Sequence, residues 1–242
     1  MTMLSVNLNK IALLRNSRGR DFPNVVDFAE RVIELGVGGI TIHPRPDERH
    51  ITRSDVYELS EFLKSKEGVE FNIEGYPSRE FLDLVLSINP SQCTLVPDGP
   101  SQLTSDHGWQ VKQHQELLVA VLDEIHDAGI RSSLFLDPLP SLVDEVAGVG
   151  ANRIELYTEE YASSFGSAVQ EQVLRSYADT AARASELGIG INAGHDLDLA
   201  NLEKFLQIPN ILEVSIGHAL IVECLEQGVA NVIKQYLAIT GT

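Results

Sequence analysis

The chain has 242 residues, and its acidic residues outnumber the basic ones by 35 to 18, for a formal net charge of −17 at pH 7. That balance disfavours nonspecific binding to nucleic acid or to an anionic membrane, and any phosphate must be held in a locally positive or NH-lined pocket. An apolar content of 43% argues against disorder, and two cysteines, Cys93 and Cys224, form no disulfide framework and fit a reducing compartment. Residues 1–10 lack the apolar core of a signal peptide and no apolar run approaches a membrane span, so a soluble cytoplasmic protein is expected.

In chain order, residues 3–7 predict a first strand, and residues 15–24, polar with Gly19 and Pro23, a loop. Asn24 is placed to cap a helix carrying Val25, Phe28, Ala29, Val32 and Ile33 on one face and stopping near Gly36. The β-branched run Ile40-Thr41-Ile42 predicts a buried second strand, ended by Pro44 and Pro46. Thr52, with Asp55 three residues on, has the spacing of a capping box. Residues 69–74 predict a third strand, Ser78 caps the next helix, and residues 92–96 predict a fourth strand. The Pro-, Gly-, Ser- and Asp-rich stretch 97–109 is long for a connection of this kind, and such loops often act as lids.

A helix over 111–128 follows, then a strand at 132–136 and a short helix at 141–147. The sixth strand is 153–157, followed by a polar loop and a long helix over 168–187. The seventh strand, 189–193, ends in Asn192-Ala193-Gly194-His195, and a helix begins at Asp198. The eighth, 211–216, runs into Gly217-His218 and a last helix reaching about 237. Strands alternating with helices imply a parallel sheet, and eight such units in this length favour a single (β/α)8 TIM barrel domain over 1–242, with extra helices, rather than an open sheet. The glycine patterns of a dinucleotide-binding fold and of a P-loop are both missing.

A barrel of this kind builds its active site at the carboxyl ends of its strands. Asn7, Asn9 and Lys10 follow the first strand; His43, Arg45 and His50 the second; Glu74 ends the third. Thr104 lies on the fourth loop, Glu155 on the sixth strand, His195 after the seventh and Gly217-His218 after the eighth. Each has a bland alternative: a bonded structural His, a solvated rim Glu, or an Arg45 and Arg49 paired with Asp47 and Glu48 for little gain. The alignment of His43, Glu74, His195 and His218 on one predicted face favours acid–base chemistry. Three histidines also permit a zinc site, but no His-x-His or His-Glu-x-x-His pair supports one. A Ser-His-Asp site lacks its Gly-x-Ser-x-Gly elbow. Gly217-His218 at a helix start is a phosphate seat, since free NH groups and the helix dipole favour an anion.

These segments resemble the pyridoxine 5'-phosphate synthase family. The carriers include Leu14-Arg15-Asn16-Ser17-Arg18-Gly19, Gly39-Ile40-Thr41-Ile42-His43, Asn72-Ile73-Glu74, Asn192-Ala193-Gly194-His195 and Ile216-Gly217-His218-Ala219, and the resemblance covers nearly the whole chain. It implies condensation of 1-deoxy-D-xylulose 5-phosphate with 3-amino-2-oxopropyl phosphate, releasing phosphate and water, with no metal or organic cofactor. By position it implies His43 and Glu74 as proton acceptors, His195 as proton donor and Glu155 as the stabilising carboxylate. Asn7, Arg18, Gly217 and His218 match contacts to the aminoketone phosphate; Arg45, His50 and Thr104 match contacts to the sugar phosphate. It also implies a homo-oligomer, an octamer built from dimers.

The chain departs from the family at Asn9 and Lys10, where the family has Asp and His, and at Asp196, where it has Gly. An amide cannot act as a base, and a carboxylate in the phosphate pocket repels a dianion. These departures keep two other readings open: a paralogous barrel enzyme with a different phosphorylated substrate, or a catalytically silent binding or assembly subunit.

Overall fold

In the computed structural model, which describes residues 1–99, 102 and 105–241, the chain begins with β1 (Met3–Asn7), α1 (Asn9–Asn16), α2 (Val25–Glu34), β2 (Gly39–Ile42), α3 (Arg53–Leu63), β3 (Glu70–Gly75), α4 (Arg79–Ile88) and β4 (Gln92–Leu95). It continues with α5 (Gln115–Asp127), β5 (Arg131–Leu136), α6 (Pro140–Val149), β6 (Arg153–Tyr157), α7 (Glu159–Ser164), α8 (Gln170–Glu186), β7 (Gly190–Gly194), α9 (Leu202–Phe205), β8 (Ile211–Ile216), α10 (His218–Gln227) and α11 (Val229–Thr240). The strands pair in parallel, in sequence order, and β8 closes onto β1. The expected (β/α)8 barrel is therefore the fold.

The caps read from the sequence are in place. Asn24 accepts the Asp27 N–H, Thr52 and Asp55 bond reciprocally as a capping box, and Ser78 accepts the Phe81 N–H. Each satisfies an N–H group that the first helical turn leaves without a partner.

Four local expectations are corrected. The loop expected from residue 15 is preceded by α1, whose apolar residues fall on both sides: Ile11 and Ala12 are buried while Leu13 and Leu14 are exposed. Such a segment has no clean helical period. The polar loop after β6 contains α7, which carries Glu159 and Glu160 in its first turn, where the helix dipole favours acids. The helix expected from Asp198 shortens to α9. The last helix is two, broken at Gly228, whose φ of 84° is open to glycine and strained for other residues.

Alternation along the strands sorts the side chains. Ile40, Ile42, Ile73, Leu95, Leu134 and Ile154 belong to the apolar core, while the barrel interior is polar and bonded. Ser5 Oγ lies 2.7 Å from Thr41 Oγ1, Asn72 Nδ2 donates to Thr41, and Thr94 Oγ1 donates to Asn72 Oδ1 at 3.0 Å. Nearer the amino ends, Glu213 Oε2 accepts from Asn192, Gln92 and Arg153, and Arg131 pairs with Glu70. Between β7 and β8 the register slips: Ile191 faces Ile211 but Asn192 faces Glu213, leaving Leu212 as an exposed bulge residue.

Candidate active site

The carboxyl ends of the strands surround a cavity of about 490 Å³. Twelve of the residues singled out from the sequence line it: Asn7, Asn9, Lys10, His43, Arg45, His50, Glu74, Glu155, His195, Asp196, Gly217 and His218. Arg18 does not; it is exposed in the turn after α1. Thr104 lies outside the described residues.

The immediate start of α1 after β1 is what brings Asn9 and Lys10 to the mouth. Asn7 Oδ1 accepts the Asn9 N–H at 3.0 Å, and Asn9 Oδ1 accepts the His43 N–H at 2.9 Å. The Asn9 amide thus ties β1 to β2, work that needs an acceptor and no titrating group. Asn7 Nδ2 reaches Glu74 Oε2 at 3.5 Å.

His43 is 6% exposed, and its Nδ1 lies 3.8 Å from Glu74 Oε2. Burial first, then the neighbouring charges of Arg45, His50 and Arg49, hold the imidazole well below its ordinary range. Burial, then the carboxyls of Glu155, Asp98 and Glu213, hold Glu74 well above its own. Both shifts favour the uncharged forms, so the contact is weaker as an ion pair than its distance alone suggests. Glu155 is pushed up to about 8 by burial and by Glu213, against a bond from Thr94.

His50 is set by the residues around it. Arg15 Nη2 donates to Asp55 Oδ2 at 2.7 Å, and Asn16 Nδ2 donates to the His50 carbonyl at 2.8 Å, so the end of α1 pins the loop after β2. His50 Nδ1 accepts the Ile51 N–H at 2.9 Å, which leaves the proton of the neutral ring on Nε2. Burial and the charges of Arg45, Arg49 and Lys10 lower its pKa to about 4.

Arg45 has a partner that the sequence did not announce. Asp98, just past β4, accepts from Arg45 Nη2 at 2.5 Å and from Ser105 Oγ at 2.7 Å, and both groups of the ion pair are buried. Arg45 Nη1 and Arg49 Nη1 both donate to the Gln102 carbonyl, at 3.2 and 3.1 Å. A lone Asp in a polar loop carries no signal that would have found this clasp.

Across the mouth, His195 and Asp196 have φ of 86° and 59°. Thr158, fully buried, holds the Gly194 carbonyl through its N–H at 3.0 Å and its Oγ1 at 2.7 Å, and the same Oγ1 reaches the His195 carbonyl. Asn201 Nδ2 donates to the Asp196 carbonyl at 3.2 Å. The His195 ring packs edge-on against Tyr157, with centroids 5.1 Å apart, and against Phe135. Its Nδ1 lies 3.3 Å from Asp196 Oδ2, and that bond is the main cause holding the Asp196 carboxyl below its ordinary range.

Two glycines make room. A β-carbon at Gly194 would stand 2.5 Å from Glu155 Oε1, and one at Gly217 would stand 3.1 Å from Asn7 Cβ. Gly217 opens α10, whose first N–H groups meet no capping side chain. A helix start of this kind can receive an anion. Among the described residues, no three His, Cys, Asp or Glu side chains gather as a metal site, and no helix is long and apolar enough to cross a membrane.

The chain is 53% identical to a pyridoxine 5'-phosphate synthase of Bacteroides thetaiotaomicron over 237 residues, 98% of each chain. It is 46% identical to one of Leptospira biflexa, over 99% of this chain and 97% of that one. Among solved structures, the tryptophan synthase α-subunit of Pyrococcus furiosus superposes with a TM-score of 0.66 at 12% identity, covering 100% of this chain and 98% of that one, which speaks to the barrel alone. The sequence model described as "Pyridoxal phosphate biosynthesis protein PdxJ" matches residues 4–242. With this family model matching nearly the whole chain and relatives at this identity over nearly their whole length, the chain belongs to the PdxJ family of pyridoxal phosphate biosynthesis proteins.

Proposed function

We propose that the chain is a pyridoxine 5'-phosphate synthase of vitamin B6 biosynthesis, joining 1-deoxy-D-xylulose 5-phosphate to 3-amino-2-oxopropyl phosphate with release of phosphate and water. The observation that carries this reading is convergence: His43, Glu74, Glu155 and His195 come from four different strands and line one cavity. Imine formation, dehydration and ring closure all require protons to be moved on and off oxygen, nitrogen and carbon.

The electrostatics are consistent with the following parts. His43, held neutral, accepts a proton. Glu155, protonated at pH 7, donates a hydrogen bond to an oxygen that gains charge. Burial favours the protonated form of Glu74, and an arriving ammonium or iminium favours its ionised form, so substrate binding makes it a better base. In this reading His195 protonates the departing phosphate, Arg45, His50 and Lys10 take the sugar phosphate, and Gly217 and His218 the aminoketone phosphate; all of them line the cavity. The retained acid–base set disfavours a silent subunit, and the use of Asn9 as a β1–β2 tie accounts for an amide there without a change of substrate. The same reading makes the enzyme a cytoplasmic homo-oligomer, supported by the large apolar side chains Phe22, Val169 and Leu225 at the surface.

The test supplies both substrates to the purified protein and follows pyridoxine 5'-phosphate. Turnover is expected, with large losses in His43→Ala and His195→Ala. No product from the native protein, with neither phosphate bound, would overturn the reading.

A further inference from the structure

The position after His195 first reads as a charge aimed at a phosphate, yet its carboxylate lies against the His195 imidazole. We infer that Asp196 is the positioning residue of His195, its carboxylate accepting the Nδ1–H of the imidazole so that Nε2 is the nitrogen turned to the substrate. The inference deepens the synthase reading and rests on it, because His195 is there the donor to the leaving phosphate.

Three observations carry it. The first is contact: Nδ1 and Oδ2 are 3.3 Å apart although the residues are adjacent in sequence. Neighbours in a strand point their side chains to opposite faces. Here two consecutive left-handed residues, with φ of 86° and 59°, bend the chain so that the side chains meet. That conformation is unfavourable for residues bearing a β-carbon and persists where the surroundings impose it.

The second observation is that the surroundings do impose it. Thr158 bonds to the carbonyls of Gly194 and His195. Asn201, 2% exposed, donates to the Asp196 carbonyl, accepts the Asp198 N–H at 3.0 Å, and through its own carbonyl takes the Tyr161 hydroxyl at 2.8 Å. The third is the stacking of Tyr157 and Phe135 on the ring, which limits the ways it can turn. An imidazole with a carboxylate on one nitrogen has a fixed tautomer and a stabilised cation.

Other charges bear on the pair from each side. Lys10 on α1 and His218 on α10 act on Asp196, Tyr157 lies on β6, His43 faces His195 from β2, and Glu155 sits under Gly194. They are unchanged by a substitution at 196, so they set a common baseline for the comparison.

The experiment compares native enzyme with Asp196→Asn and Asp196→Gly. Nitrogen-15 histidine spectra of the ligand-free proteins report the His195 tautomer, and pH profiles of kcat and KM report the consequence. The native ring is expected to carry its neutral-state proton on Nδ1 and both variants to lose that preference. With the ring no longer held in one orientation and tautomer, kcat drops about tenfold while KM changes less than about threefold. An unchanged tautomer and profile, with KM for the aminoketone phosphate lowered instead, would overturn the inference and make Asp196 a phosphate-repelling element. If the native protein makes no product, the synthase reading fails, while the tautomer spectra still decide the pairing.

Discussion

On the β2–β3 side of the mouth, His43 and Glu74 are 8% and 12% exposed along their side chains and 3.8 Å apart, and both are shifted towards their uncharged forms. On the β7 side, His195 and Asp196 are 28% and 43% exposed along their side chains, 3.3 Å apart, and Asp196 is favoured as an anion. Both are a histidine next to a carboxyl group, and solvent makes them different instruments. Removing water penalises charge, so the dry pair favours an uncharged base beside an uncharged acid. The wetter pair tolerates charge and is organised by backbone geometry. A reaction that must both take and give protons at one pH needs both kinds.

The largest expected effect falls on the dry side. Glu74→Gln keeps the volume and a polar contact to Asn7 but cannot exchange a proton, so kcat is expected to fall by about 10²- to 10⁴-fold with little change in melting temperature. Near-native turnover would reduce Glu74 to a structural member. Asp98→Ala strands the buried Arg45 guanidinium, and urea denaturation should register a loss of about 3–5 kcal/mol. A loss well under that would mean Arg45 finds water or another partner.

Gly194→Ala tests the seam between the two walls. Its β-carbon would lie 2.5 Å from Glu155 Oε1, so the carboxyl must move. Steady-state kinetics should show kcat reduced about ten- to a hundredfold, with KM close to native.

The smallest effect concerns stability against pH. Glu155 titrates near 8 in the fold against an ordinary 4.5, so the folded state keeps a proton that the unfolded chain releases. Its stabilising contribution is complete below 4.5 and is lost as pH rises through 8. His43 and His50, held below 6.5, act in the opposite sense and add stability as pH rises towards 6.5, with no further change above it. Between pH 6.5 and 8 the carboxyl acts without them, and native protein should lose roughly 1–2 kcal/mol relative to Glu155→Gln. Parallel curves for the two proteins would show that Glu155 is ionised throughout.

The barrel was legible because its signals are local and repeated. Asn24, Thr52 and Ser78 cap where their spacing places them, and the β-branched run at Ile40 is a buried strand. His43, Glu74, Glu155 and His195 were legible as strand-end groups once the fold was known. Asp98 was not, because its meaning comes from Arg45, 53 residues away in sequence. Asp196 was readable as a charge but not as a neighbour of the imidazole, since left-handed backbone at two non-glycine residues leaves no trace in composition. Segment 9–16 hid its helix by splitting its apolar residues between two faces.

The bulge at Leu212 bears on insertions and deletions. Leu212 is the extra residue at the foot of β8, between Ile211 and Glu213, whose partners Ile191 and Asn192 are consecutive on β7. Deleting it joins Ile211 to Glu213 in the phase their partners already hold, and Ser215 keeps both Ser5 and Gly194 beside it. The strand can change length by one residue at its base while Gly217 and His218 stay where they are. A one-residue change in length is thus expected to be absorbed at the amino-terminal foot of β8, at the opposite end of the strand from Gly217 and His218.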